Sequence, residues 1–195
     1  MRIGITGGIG AGKSYVSRLL ADSLGIPVYD CDREAKRLMQ TEPGIREQLV
    51  NLVGDAAYLP DGPLNKTVLA EYLFASEKHA RCVNAIVHPA VKRDFLQWAS
   101  LQEQAGVQTV ALESALLADA HLGDALDGII FVDAPLELRI QRAMQRDAAT
   151  REQIEARIAR QRSVDDYCRS CDFVVVNDGR DLIPQLQKII QSFHQ

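Results

Sequence analysis

The chain has 195 residues, of which 47% are apolar, and its formal net charge is −4. This length and composition suit one globular domain with a small inserted lobe. The slight acidic excess creates no overall positive field, so we expect neither nucleic acid nor a membrane as a partner. The sequence has no export signal at its start and no apolar run long enough to span a bilayer, so we expect a cytoplasmic protein.

A glycine-rich segment, GGIGAGKS, follows the first apolar run of the chain, RIGIT. Residues 7–14 match the pattern G-x-x-x-x-G-K-[ST], and an amphipathic helical segment continues from them. Small residues in this pattern let backbone N–H groups turn toward phosphate oxygens at a helix N-terminus. We therefore expect Lys13 to reach the β and γ phosphates of ATP and the Ser14 hydroxyl to bind Mg²⁺. The residues expected to contact ATP in this segment are Gly8, Gly10, Ala11, Gly12, Lys13, Ser14 and Tyr15.

Two other nucleotide-binding patterns do not fit this loop. A dinucleotide-binding G-x-G-x-x-G that begins at Gly8 would need glycine where Lys13 stands. A GTPase would need the guanine-reading pattern N-K-x-D, whereas the NK pair at Asn65 continues with TV. The remaining alternative is a tight strand-to-helix turn that binds nothing.

The second apolar run, IPVYD, leads into two carboxylates, Asp30 and Asp32. Open α/β sheets bind their ligands at the carboxyl ends of the strands. One of these carboxylates could therefore orient or deprotonate an acceptor hydroxyl, or hold a metal-bound water. A second role, compatible with the first, is that Asp32 caps a helix that begins at Arg33.

A long helical segment separates this run from the next strand-like run, VQTVALE. The separation is about 75 residues, far more than the dozen that a simple crossover needs. The segment YLPDGPLN is predicted to be its main turn, and HPAVKRDFLQWASLQEQ a helix that begins near Pro89. We expect an inserted helical lobe, over about 33–105, that binds the acceptor substrate.

The strand-like runs VQTVALE, GIIFVDA and FVVVN follow, with helical segments between and after them. This alternation predicts an α/β fold, a parallel P-loop sheet flanked by helices. The four runs after RIGIT lack strict polar alternation, so we expect their strands to be buried on both faces. The expected nucleotide-binding core is 1–32 with 106–195, and it includes a helical lid at about 139–162.

Three arginines recur on the first helix of the predicted lid. Arg139, Arg142 and Arg146 lie within about 60° of one another around a helix. The neighbouring Glu137 and Asp147 are expected to offset little of this charge, so at least one arginine should contact phosphate or the nucleotide. The alternative is an ordinary solvated face.

The four cysteines are spread through a chain that needs no disulfide staples. Cys168 and Cys171 have the C-x-x-C spacing of redox and zinc sites, but no second such pair occurs. We therefore expect reduced thiols and a coincidental spacing.

Several segments together resemble the dephospho-CoA kinase family over essentially the whole chain. They are TGGIGAGKS, DCD, DGPLN, NAIVHPAV, RAMQRD, IARQ and VVVND. The resemblance implies transfer of the γ-phosphate of ATP to the ribose 3′-hydroxyl of dephospho-CoA, with Mg²⁺, as the last step of coenzyme A synthesis.

The resemblance also implies individual roles. Asp32 would be the catalytic base, with Lys13 and Arg142 as further catalytic residues. The additional ATP contacts would be Arg142, Arg146 and Asn177, and the acceptor contacts would be Asp32, His88, Leu116 and Leu117. The alternatives are another small-molecule or nucleoside monophosphate kinase, or a P-loop switch that signals by changing conformation.

Overall fold

The computed structural model of the protein describes residues 1–115, 117, 122–161, 166 and 170–193. Its five strands are parallel and form one sheet in the order β2-β3-β1-β4-β5. They are β1 Arg2–Gly7, β2 Val28–Asp30, β3 Val110–Glu113, β4 Gly128–Asp133 and β5 Phe173–Val176. Each strand falls within one of the predicted apolar runs or extends it by a single residue, and the predicted α/β class is confirmed.

Helices cover most of the chain between the strands. In the described ranges they are α1 Lys13–Leu24, α2 Cys31–Thr41, α3 Pro43–Val53, α4 Lys66–Ala75, α5 Glu77–Gln104, α6 Leu136–Asp147, α7 Arg151–Ala159 and α8 Ile183–Ser192. None of them combines the length and apolarity needed to cross a bilayer. The chain divides into two compact units, 1–29 with 102–195 and 30–101.

The first unit is built around β1, which lies between β3 and β4. Ile3 of β1 is in register with Ala111 of β3, and Ile5 is in register with Ile130 of β4. The core residues of this unit are Ile3, Ile5, Ala11, Val16, Leu20, Ile26, Ala111, Ile130, Val132, Val175, Leu182, Leu186 and Ile189. Because all five strands are parallel, the loop after β1 lies at the same sheet edge as the ends of β3, β4 and β5.

Burial on both faces was predicted for β5 as well, and this prediction is wrong. Val174 and Val176 are 41% and 39% exposed, whereas Val175 between them is fully buried. The reason is the strand order, which places β5 at an edge of the sheet. An edge strand keeps one face accessible even when its sequence is a continuous valine run.

The second unit contains α2, α3, α4 and most of α5. Arg37 of α2 donates two hydrogen bonds to the Asp94 carboxylate of α5, at 2.7 and 2.8 Å. It also donates to Glu34, which lowers the pKa of that carboxyl below its ordinary value, with a smaller contribution from Arg33. These contacts connect the first and last helices of the unit.

The predicted turn YLPDGPLN is stabilised by two side chains of the second unit. The Tyr58 hydroxyl donates to the Met39 carbonyl at 2.6 Å. The Arg46 guanidinium lies 4.2 Å from the centre of the Tyr58 ring and donates to the Gly62 carbonyl at 2.6 Å. The turn therefore has a defined conformation between α3 and α4.

The last helix of the second unit begins well before Pro89, contrary to our prediction. α5 runs from Glu77 to Gln104 with Pro89 inside it. A proline removes one backbone hydrogen bond from a helix interior. Here the buried residues before and after it, including Val83, Val87 and Phe95, hold the helix together across that position.

Candidate active site

The glycine-rich loop joins the central strand β1 to α1. Gly12 is the residue before the helix, and its φ of 94° places it in the left-handed region, which glycine adopts without strain. No side chain in the part of the chain that the structure describes caps α1 at this position. The N-terminus of a helix carries a partial positive charge, so the start of α1 favours an anionic ligand.

Lys13 and Ser14 lie at the start of α1, as the motif predicts. The Lys13 ammonium donates to the carbonyl oxygen of Gly7 at 2.8 Å and to that of Gly8 at 3.4 Å, so it extends back over the loop. The Ser14 hydroxyl donates to the Glu113 carboxylate at 2.8 Å. An ammonium group, a hydroxyl and a carboxylate are thus present where the loop meets α1.

Glu113 was not predicted as a site residue. It is the last residue of β3 and is in register with Ile5 of β1. The signal that could have identified it is its position, since the ends of neighbouring parallel strands share one sheet edge. Together with Ser14 it provides the hard oxygen donors that Mg²⁺ prefers.

The loop glycines are in close contact with the last third of the chain. A Cβ on Gly10, whose φ is 74°, would lie 2.0 Å from the carbonyl oxygen of Arg139. A Cβ on Gly12 would lie 2.2 Å from the side-chain nitrogen of Asn177. Neighbouring protein atoms alone therefore exclude larger residues at both positions.

Asn177 connects the loop to the arginine helix α6. It is 3% exposed, and its side-chain N–H donates to the Ala11 carbonyl at 2.8 Å. The Arg142 guanidinium donates to the backbone and side-chain oxygens of Asn177, at 3.2 and 3.3 Å. The structure thus brings three predicted ATP-site residues, Ala11, Asn177 and Arg142, into one hydrogen-bonded group.

The three predicted arginines of α6 have different surroundings. Arg139 is only 6% exposed and donates to the Ile9 carbonyl of the loop. Arg146 is instead on the surface and pairs with its neighbour Asp147 at 2.7 Å. Asp147 also accepts from Arg157 at 2.6 Å, and the hydrogen bonds from Arg146 and Arg157 hold the pKa of the Asp147 carboxyl well below its ordinary value.

The expectation that nearby acidic residues offset little of this charge is wrong for Arg146, whereas neither Glu137 nor Asp147 pairs with Arg139 or Arg142 in the part of the chain that the structure describes. Asp147 pairs directly with Arg146, and Glu137 pairs with Arg151. The Arg151 hydrogen bond also lowers the pKa of the Glu137 carboxyl. The pairs with Arg151 and Arg157 could not be read from helical spacing, because these two arginines belong to the next helix, α7.

The predicted carboxylates lie in the second unit. Asp30, not Asp32, is the N-cap of α2, since its side chain accepts from the Arg33 N–H at 3.0 Å. The predicted cap at Asp32 is therefore wrong, because the helix begins two residues earlier, at Cys31. Asp32 lies exposed in the first helical turn and forms no hydrogen bond or ion pair with the residues that the structure describes.

The remaining predicted residues belong to separate parts of the chain. Tyr15 is 44% exposed on the first turn of α1, and His88 is partly buried on α5. Leu117 is 2% exposed and lies against β1, where a Cβ on Gly4 would approach it to 2.8 Å. Leu116 and Cys168 lie outside the described residues.

These features define a P-loop kinase. They are the parallel sheet with this strand order, the G-x-x-x-x-G-K-S loop after its central strand, and the arginines of α6 beside that loop. The family model described as dephospho-CoA kinase matches residues 1–182. The chain belongs to the dephospho-CoA kinase family, whose members use ATP, and it is a kinase.

Curated relatives agree with this assignment over more than nine-tenths of their lengths. A dephospho-CoA kinase of Bacteroides fragilis is 48% identical over 196 residues, with 100% of this chain and 94% of the relative covered. A dephospho-CoA kinase of Porphyromonas gingivalis is 41% identical, with 97% and 93% covered.

Solved structures have the same fold. A protein from Thermus thermophilus is 33% identical, with a TM-score of 0.82 over 98% of this chain and 97% of its own. A dephospho-CoA kinase from Campylobacter jejuni is 21% identical, with a TM-score of 0.70 over 98% and 96%. A shikimate kinase from Acinetobacter baumannii is 19% identical, with a TM-score of 0.58 over 99% and 92%, and these last two similarities concern the fold.

Proposed function

We propose that this protein transfers the γ-phosphate of ATP to the ribose 3′-hydroxyl of dephospho-CoA, which completes coenzyme A. The observation that carries the proposal is the loop at β1, where Lys13 and Ser14 stand at an uncapped helix N-terminus in a chain of this family. The supporting chemistry is simple, since phosphoryl transfer needs positioned cations and exclusion of water more than covalent participation by the protein.

In this proposal the loop and the α6 arginines hold the nucleotide. Gly8, Gly10, Ala11, Gly12 and Tyr15 would contact the phosphates through the backbone, and Lys13 would neutralise the β and γ charges. The planar guanidinium groups of Arg142 and Arg146 suit bidentate phosphate contact or stacking on a base. Asn177 would hold the nucleotide side of the loop, a role supported by its burial and its bond to Ala11.

Ser14 and Glu113 are the residues that would hold Mg²⁺. A hydroxyl and a carboxylate 2.8 Å apart fit an ion that takes few protein ligands and keeps waters and phosphate oxygens. When bound, Mg²⁺ supplies charge neutralisation for the phosphates.

The helical unit would bind the acceptor. We propose Asp32 as the base that accepts the proton of the 3′-hydroxyl, and its exposed position in the first turn of α2 leaves the carboxylate accessible. His88, Leu116 and Leu117 are the further acceptor contacts that the family resemblance implies. A cytoplasmic location is also part of the proposal, and it is consistent with Cys31, Cys82 and Cys171 being reduced thiols outside any disulfide.

Product analysis with a panel of acceptors tests this function. The purified protein, ATP and Mg²⁺ would be incubated separately with dephospho-CoA, coenzyme A, AMP and shikimate, and the products identified by mass spectrometry. We expect a phosphorylated product from dephospho-CoA alone. Coenzyme A is the matched control, because its 3′-hydroxyl already carries phosphate. Phosphorylation of AMP or shikimate in place of dephospho-CoA would reassign the acceptor, and the absence of any product would contradict the kinase proposal.

A further inference from the structure

Ile9, in the middle of the phosphate loop, is bound on both of its backbone polar groups by side chains from elsewhere. Its N–H donates to the Gln161 side-chain oxygen at 2.9 Å. Its carbonyl accepts from the Arg139 Nε at 3.0 Å. The two side chains also meet each other, since the Arg139 guanidinium donates to the same Gln161 oxygen at 3.5 Å. Arg139 comes from α6 and Gln161 from the segment just after α7.

The side chain of Ile9 is held by the same two helices. It packs against the apolar cluster formed by Ile140 and Ala143 of α6 and Ile154 of α7, all of which are almost fully buried. Backbone and side chain of one loop residue are thus both fixed by the α6–α7 pair. A loop peptide with this many constraints has little freedom to rotate.

Arg139 fills the space that the loop glycines leave open. A Cβ on Gly8 would lie 2.2 Å from the Arg139 guanidinium, and a Cβ on Gly10 would lie 2.0 Å from the Arg139 carbonyl oxygen. Among the described residues Arg139 pairs with no carboxylate, although its side chain is buried. Its guanidinium donates instead to the Ile9 carbonyl and to the Gln161 side-chain oxygen, so its donors are directed at the loop backbone and at the residue that binds the same loop peptide.

We propose that Arg139 and Gln161 are positioning residues for phosphoryl transfer, which hold Ile9 so that the loop N–H groups keep their phosphate-binding arrangement. This inference rests on the proposed function, because it concerns the same nucleotide phosphates. Arg139 acts through the loop backbone and not by contact with the nucleotide. Arg139 binds the Ile9 carbonyl and also the Gln161 oxygen that accepts from the Ile9 N–H. Loss of either side chain should therefore disturb the hydrogen bonds of the other.

The test compares ligands with and without phosphates. Affinities for ADP and for adenosine would be measured by calorimetry for the wild type, Arg139→Met, Gln161→Met and the double variant. Each single variant should bind ADP about 10-fold more weakly, because it removes a hydrogen bond that orders the loop, while adenosine affinity stays unchanged. The double variant should bind ADP little more weakly than the single variant with the lower ADP affinity, because both substitutions act on Ile9.

Two further variants test whether the effect of Arg139 on ADP affinity comes from its hydrogen bonds to the loop or only from its positive charge. Arg2→Met is the matched control, since Arg2 lies at the opposite end of β1 and pairs with Glu103, and it should keep wild-type affinity for both ligands. Arg139→Lys keeps the charge but has only one donor group, so it should remain weakened toward ADP. Full recovery of ADP affinity in Arg139→Lys would overturn the positioning role.

Other results also decide the matter. Wild-type ADP affinity in Gln161→Met, or an equal loss of adenosine and ADP affinity, would overturn the proposal. If Arg139→Met does not fold, as judged by its melting curve, Gln161→Met decides by the same criterion. Failure of the wild-type protein to bind ADP would instead contradict the proposed function, so the two failures are distinguishable.

Discussion

Gly10 lies against the backbone of α6, where an added Cβ would come within 2.0 Å of the Arg139 carbonyl oxygen. Glycine is usually explained in such loops by the approach of phosphate. Here the protein itself imposes the requirement, since α6 occupies the space beside the loop. Two demands therefore act on this one residue, a left-handed backbone at φ 74° and the absence of a side chain.

Gly10→Ala should destabilise the protein by about 1–3 kcal/mol and greatly reduce nucleotide binding, because the left-handed backbone is strained and the new methyl group meets backbone that cannot easily move. Urea unfolding and ADP titration would measure the two effects. Gly44→Ala is the matched control, since nothing lies within 4 Å of its Cβ position on α3. It should leave ADP affinity unchanged and stability equal or slightly higher. Equal stability of the Gly10 variant and the wild type would contradict the contact.

Lys13→Ala should leave the fold intact and lower the turnover number about 10²–10³-fold, because the phosphate charge that develops in transfer loses its positioned cation. Initial rates and melting temperatures would be compared with those of Lys188→Ala, an exposed lysine of α8. Normal turnover in Lys13→Ala would remove Lys13 from the phosphate site.

At the scale of helices and strands, the sequence predicts those features that depend on a local pattern of residues. The five strands and the phosphate loop follow from apolar runs and the glycine spacing. The surroundings of the α6 arginines do not, because the partners of Arg139 and Arg142 are Ile9 and Asn177, which lie 130 and 35 residues away. Glu113 was missed for the same reason, since its contact with Ser14 depends on which strands are neighbours.

Substitution of the two carboxylates at the start of α2 should have different effects, on turnover for Asp32 and on stability for Asp30. Asp32→Asn should lower turnover, on the order of 10²–10⁴-fold if it removes the base, with little change in melting temperature. Asp30→Ala should cost about 0.5–2 kcal/mol of stability, because it removes the N-cap bond to the Arg33 N–H. Rate measurements and urea unfolding on both variants would check this. Normal turnover in Asp32→Asn would exclude it as the base.

Arg142→Lys and Arg146→Lys should each raise the ATP Michaelis constant and lower turnover, although the charge is kept, because an ammonium cannot reproduce a planar bidentate or stacked contact. Steady-state rates over ATP and dephospho-CoA concentrations would measure both constants. Arg2→Lys is the control and should behave as wild type. If Arg146→Lys alone matched the wild type, Arg146 would be assigned to its surface pair with Asp147.

Across the whole molecule, several carboxylates are ionised more easily in the folded protein than in the unfolded chain. The pKa of Glu34 is lowered mainly by Arg37, and that of Asp147 is lowered by Arg146 and Arg157. A lowered folded pKa adds stability above the unfolded pKa, and this stability is lost as the pH falls through the folded value. The net effect is therefore a protein that becomes less stable on acidification.

We expect the free energy of unfolding to decrease progressively below about pH 5, with Asp147 contributing about 1 kcal/mol or less because its arginine partners are largely exposed. Urea unfolding of Asp147→Asn should show a deficit relative to wild type near neutral pH that disappears in acid. Asp22→Asn, an exposed position on α1, should show no such pH-dependent difference. A deficit that stays constant with pH would contradict the role of the Asp147 charge.

The contacts of the phosphate loop also determine when in protein synthesis the loop can take shape. A nascent chain made only as far as residue 130 already contains the whole G-x-x-x-x-G-K-S sequence. It contains neither Arg139 and Gln161, which bind Ile9, nor Asn177, which binds Ala11 across 166 residues of sequence. The loop can therefore take its final geometry only after Asn177 has been synthesised, and a shorter nascent chain carries the motif without that geometry.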